Sequence, residues 1–371
     1  MLASLLTLSV ACSSDTLVQP GPVPPRGVVV LDGFVQPAFT LLADTGTAST
    51  RLALGSSTEF DGGAFTLERD TALAVSSRGA GDVLFVADLR AGTVRKVQLP
   101  VGGNGARARL LTGGNGSARV LVALRDSQSV VTALVPTAAG PATFTRIEGA
   151  GQCPVDAFRH GNATWVVDAN AECRTTYAVI GAVRLIRVPD DGSARDTLAL
   201  TSVFGSDAQL VVAGDVAYVS AGGEANFGTF PFALVRSGAV AKVDLAQRQV
   251  ITQKGMPAST YGASMKLGLD GQLYISMYEN LDTFADRVLQ LTPMLEIASS
   301  AATLPSGFRL LYDADDNVMH CNSATADALG RLHCLVAGAA SATSLVVFDP
   351  AGREIRRVPA GQGGVDLALR P

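Results

Sequence analysis

The sequence predicts an all-β chain closed into a β-propeller, and three observations carry that prediction. A unit of short strand, turn and second short strand recurs about every 40 to 50 residues, the period of a propeller blade. The 371 residues include 39 Gly and 17 Pro, with 47% hydrophobic and only 17% charged. That balance suits many short buried strands joined by turns, and no stretch offers a long run at helical period. The two ends also complement each other. Gly27–Leu31 reads as a second strand without an inner partner, and Gly363–Pro371 as an inner strand without a follower. Pairing them closes the ring through the first blade and removes a raw sheet edge.

Asp82–Pro100 shows the unit at its clearest: the apolar run Val83–Val86, turn residues in Asp88–Gly92, then a looser alternation over Thr93–Val97. Taken as second strands, the equivalent runs begin near Val28, Val83, Arg119, Ala163, Val216, Gln272 and Arg331. The expected third strands are Phe39–Ala43, Thr93–Leu99, Val130–Val135, Ala182–Val188, Ala239–Asp244, Val288–Thr292 and Ser344–Asp349. Seven blades follow, with six or eight left open because the spacing is uneven. Two Gly-Gly-Asn-Gly segments bracket Ala106–Thr112, expected as the inner strand of blade three, which leaves blade two little room for an outermost strand. Insertions at Ala221–Ser237 and Tyr278–Asp286 fall between second and third strands and should project from one face. Residues 27–371 are thus expected as a single propeller domain, without the linker that two sandwiches in series would need.

Gly262–Met277 places an alternating strand, the Asp270-Gly271 turn and Leu273-Tyr274-Ile275 in one stretch. With Val216–Val219 and Val240–Asp244, and with Leu345–Asp349, it resembles YVTN and NHL-type propeller repeats. That resemblance spans about residues 26–371 and implies a fold, not a chemistry. The first twelve residues, Met1–Cys12, are apolar, too short to span a bilayer, and end in small residues before a cysteine. They resemble a bacterial lipoprotein signal peptide, although Ser9 stands where that family has Leu and no basic residue precedes the apolar run. The resemblance implies lipidation at Cys12, an extracytoplasmic location in the bacterial cell envelope and a membrane partner through the lipid anchor. Residues 13–26, with four prolines, read as an extended tether.

Four cysteines remain, an even number that suggests two disulfides in an exported protein. Three connectivities exist on paper; the local one joins Cys153 to Cys173, at one edge of blade four, and Cys321 to Cys334. The net charge of −4 and the absence of a Lys/Arg run give no footprint for nucleic acid. No nucleophile elbow is present, and His160, His320 and His333 fall in different repeats, so no catalytic residue is assigned. Asp168, Asn170 and Glu172, and likewise Asp313, Asp315 and Asn317, set oxygen side chains on alternate residues, as a calcium loop would. Both stretches also suit bare turns, and no cofactor is assigned beyond that weak calcium signal. The senescence-marker and gluconolactonase propellers ring a channel metal with Glu, Asn and Asp. Asp156, Asp207 and Asp366 fall in or near expected inner strands here without matching that ligand set. The reading is therefore a monomeric binding or scaffold propeller for a protein, glycan or small molecule. A metal-dependent lactonase-like hydrolase on the same ring is the alternative.

Overall fold

In the computed structural model the described residues are 27–33, 36–43, 49–57, 60, 62–76, 82–100, 103–114, 117–136, 140–257, 261–283, 285–298, 303–338 and 342–370. The leader, Cys12 and the tether lie outside them. The described residues contain no helix and form seven antiparallel sheets. Blade one is ordered β27 (Gly364–Arg370), β1 (Gly27–Asp32), β2 (Ala38–Ala43) and β3 (Ser49–Ala53). Blade two runs β4 (Phe65–Glu68), β5 (Thr71–Val75), β6 (Val83–Asp88) and β7 (Thr93–Gln98), and blade three β8 (Gly105–Gly114), β9 (Ser117–Leu124), β10 (Ser129–Pro136) and β11 (Thr143–Ile147). Blade four holds β12 (Pro154–His160), β13 (Ala163–Asp168), β14 (Arg184–Pro189) and β15 (Asp196–Ala199). Blade five holds β16 (Gln209–Ala213), β17 (Val216–Asn226), β18 (Ala233–Asp244) and β19 (Gln249–Gly255). Blade six has three strands, β20 (Tyr261–Leu267), β21 (Leu273–Asn280) and β22 (Ala285–Leu291). Blade seven closes with β23 (Ser323–Ala326), β24 (Leu332–Ala337), β25 (Ala342–Phe348) and β26 (Glu354–Gln362).

The innermost strands touch in the cyclic order β27, β4, β8, β12, β16, β20, β23 and back to β27. The chain is a seven-bladed β-propeller. Its termini close it as the complementary ends require: β27 pairs antiparallel with β1, Val28 opposite Leu369 and Leu31 opposite Asp366.

Burial explains why the second strands were legible. Each faces two neighbouring blades, so both of its sides are apolar, and β1 is buried at all six positions. Alternate residues serve opposite junctions: Val29 and Leu31 pack toward blade two, Val28 and Val30 toward blade seven. Seven apolar clusters result among the described residues, one per junction, and the core is a set of wedges between blades. Outermost strands meet solvent on one side; β26 alternates between half-buried and exposed over Glu354–Pro359.

Blade two departs from the expected register. Val83–Val86 belongs to its third strand and Thr93–Gln98 is its outermost strand, paired Val83 to Gln98 and Asp88 to Thr93. The true inner hairpin is Phe65–Glu68 against Thr71–Val75, turned at Arg69-Asp70 with Arg69 at φ 54°. Its strands are short and rich in Ala and Thr, which hides them from a search for apolar runs. The blade-six turn is also longer than a two-residue hairpin. Leu267 pairs with Leu273, leaving Gly268–Gln272 as the connection, with Gly271 at φ 79° where a side chain would be strained.

Candidate functional site

In an antiparallel blade the inner strand begins beside the end of the second strand, so the inner-strand starts and the connections to third strands share one face. The two expected insertions project there. In blade five, β17 and β18 run on past the sheet as a paired ribbon as far as Asn226 opposite Ala233. Phe227, Phe230 and Phe232 pack edge-on near its tip, and the Phe232 N–H donates to Asp282 of the blade-six hairpin at 3.0 Å.

Charged residues of the inner strands fill the axis. On β8, Ala106-Arg107-Ala108-Arg109 alternates small and cationic residues; Ala108 is buried in the wedge between blades two and three. The Arg109 guanidinium donates twice to Asp156 of β12, both at 2.7 Å, and once to the Leu210 carbonyl of β16 at 2.7 Å. Arg107 lies 3.8 Å from the same Asp156 carboxylate and donates to Gln209 Oε1. The two arginines respond oppositely. Burial drives the Arg107 pKa down further than Asp156 restores it. At Arg109 burial acts the same way, but the charge and hydrogen bonds of Asp156 outweigh it and raise the pKa.

On the other side of the axis Asp366, on the closing strand β27, gathers four strands. It accepts from Lys266 Nζ of β20 at 2.9 Å, Ser323 Oγ of β23 at 3.0 Å and the Phe65 N–H of β4 at 3.2 Å. Lys266 also sits 5.6 Å from the centre of the Phe65 ring. Glu68, at the far end of β4, adds a carboxyl whose pKa burial raises against the pull of Arg109 and Arg69.

Above this ion network a cavity of about 390 Å³ opens on the face that carries the insertions. Gly62, Gly63 and Ala64 line it from blade two, Ala106, Arg107 and Arg125 from blade three, Tyr177 from blade four, and Asp207 with Gln209 from blade five. A Cβ added to Gly63 would meet nothing within 4 Å, so that glycine leaves open space. Asp207 Oδ1 accepts from the Gly222 N–H at 3.1 Å.

The two oxygen-rich loops do other work. Asp168 is fully buried and accepts from the Cys153 N–H at 2.8 Å and the Asn170 N–H at 3.1 Å, with Arg184 Nε at 2.9 Å. Asn170 donates to the Ala182 carbonyl at 3.1 Å. Glu172 accepts the N–H groups of Arg174, Thr175 and Thr176, which hold its pKa down to about 2. Asp313 accepts from the N–H groups of Asp315 and Asn317, a turn fastened by its own backbone. Among the described residues no three His, Cys, Asp or Glu side chains are grouped to hold a metal ion. The histidines are dispersed: His160 lies 2.8 Å from Asp215, His320 3.0 Å from the Asp286 carbonyl and buried His333 3.4 Å from Asp327.

Disulfides join Cys153 to Cys173 and Cys321 to Cys334, each with Cα atoms 5.6 Å apart. The first fastens the start of β12 to the β13–β14 connection that carries Tyr177. Two such bonds suit maturation in an oxidising compartment.

No family model and no curated protein matches the chain. Solved structures do. A protein from Lactobacillus plantarum is 16% identical at a TM-score of 0.56, covering 94% of this chain and 99% of that one. A putative 6-phosphogluconolactonase from Bacteroides uniformis is 12% identical at a TM-score of 0.57, covering 92% and 98%. Likeness at this identity establishes the fold alone. The axial cations escaped the sequence reading, although Ala106–Arg109 carried a signal: alternating charges on an inner strand must face either the axis or a buried junction.

Proposed function

We propose that the protein is an extracytoplasmic binding module, anchored in the envelope through lipidated Cys12, that holds a small polar molecule in the mouth cavity. One observation carries the reading. A 390 Å³ cavity, of the size that takes small ligands, sits over a floor of inner-strand side chains already fixed by ion pairs. The axial carboxylates that a lactonase-like hydrolase would turn to a metal are each held by a cation, Asp156 by Arg109 and Asp366 by Lys266. Leader and disulfides support export; the membrane partner rests on the lipobox-like sequence at Cys12.

The test uses Gly63→Phe, a bulky substitution at a lining position where an added Cβ meets nothing within 4 Å. Ligand-observed NMR with a set of neutral and charged small polar probes should find binding to the purified protein that this variant abolishes. Failure to find any such binding, or metal-dependent turnover of δ-gluconolactone, would overturn the reading.

A further inference from the structure

Among the described residues the axial cations are unequally paired. Three cations, Arg107, Arg109 and Lys266, meet two buried carboxylates, Asp156 and Asp366. Lys266 takes Asp366 at 2.9 Å, and Arg109 takes both oxygens of Asp156. Arg107 is left with the long approach of 3.8 Å to an oxygen already engaged, and with the neutral Gln209. Glu68 adds its charge to Arg109, and Asp156 and Asp366 act on Arg107 without a close contact. Of these cations only Arg107 lines the cavity, where its side chain is 13% exposed. Asp207, the carboxylate among the described lining residues, is turned to the Gly222 N–H.

Among the described residues, a largely buried guanidinium whose nearest carboxylate is already engaged recovers only part of the hydration it loses, and its lowered pKa agrees. A planar anion entering from the mouth would meet the guanidinium fork in the two-bond geometry that arginine favours. We propose that the ligand of this cavity is a small carboxylate, its carboxyl group paired with Arg107 and its polar remainder beside Gln209 and Tyr177. This rests on the cavity being the binding site.

The test compares matched acids and esters: acetate, L-lactate and D-glucuronate, each beside its methyl ester, titrated calorimetrically into the purified protein at pH 7. At least one acid should bind with a Kd below about 1 mM, with its ester at least tenfold weaker, about 1.4 kcal/mol. Arg107→Gln should weaken the acid at least tenfold and leave the ester unchanged. Gly63→Phe should abolish acid binding while leaving the ion network untouched, so the outcome does not depend on how well Arg107→Gln folds. Esters that bind as tightly as acids, or acids indifferent to Arg107→Gln, would refute the carboxylate and leave the cavity a binding site. Acids and esters that all fail to bind would refute the carboxylate; binding that persists in Gly63→Phe would refute the cavity as well.

Discussion

Single side chains decide how firmly this ring holds, and Asp366 is the clearest case. It is 2% exposed and takes hydrogen bonds from three other blades. Asp366→Ala strands Lys266 beside the axis, and losing one partner of a buried pair costs about 3 to 5 kcal/mol. Chemical denaturation should show that loss, and Lys266→Met in the Asp366→Ala background should recover part of it. Asp32 behaves differently. It is fully buried at the end of β1, accepts from Thr40 Oγ1 at 2.9 Å, lies 3.6 Å from Arg51, and keeps Oδ1 without a partner. Burial raises its pKa from 3.8 to about 6, against the opposing pull of Thr40 and Arg51. The folded carboxyl therefore holds its proton more tightly than the unfolded one. Stability from this group is present below about pH 4 and is lost as pH rises through about 6, on the order of 3 kcal/mol. Asp32→Asn should melt above the wild type at pH 8, with the difference shrinking toward pH 4; a constant difference would contradict the assignment.

At the scale of strands, the closing pair β27–β1 concentrates the most consequence in the fewest residues. Deleting Gly363–Pro371 removes the inner strand of blade one, the whole Asp366 knot and one wall of the wedge that holds Leu367 against Leu335 and Leu345. The truncated protein should lose its cooperative thermal transition, rather than melt a few degrees lower, because β1 would be left with an open edge. Strand legibility follows burial. Second strands such as Gly27–Asp32 and Ala163–Asp168 are buried at every position and stand out as apolar runs. Phe65–Glu68 and Thr71–Val75 are four and five residues long and partly exposed at the axis or turn, so blade two was read one strand out of register. The site was less legible still. Its glycine wall and its cations, Arg107 and Arg125, come from blades two and three, and nothing local to Gly63 or Arg107 shows that the ring brings them together.

Seen whole, the propeller separates its two faces. The cavity and the aromatic ribbon share the face where inner strands begin, whereas Gly27 opens β1 opposite Ala43 and Arg370, at the face where they end. Under the proposed anchoring at Cys12, the chain enters the propeller at the face opposite the mouth. Cys12→Ala should move the protein from the membrane fraction to the soluble exported pool, since the acyl chains are its membrane contact in this reading. Unchanged retention would remove the anchor. The closing strand also sets an order of events in time. Residues 364–370 supply the innermost strand of the blade that residues 27–53 begin, so the first blade waits, one strand short, until residue 370 has been synthesised. Until that strand arrives the ring cannot lock, and β1 keeps an open edge that only its most distant partner in sequence can cover.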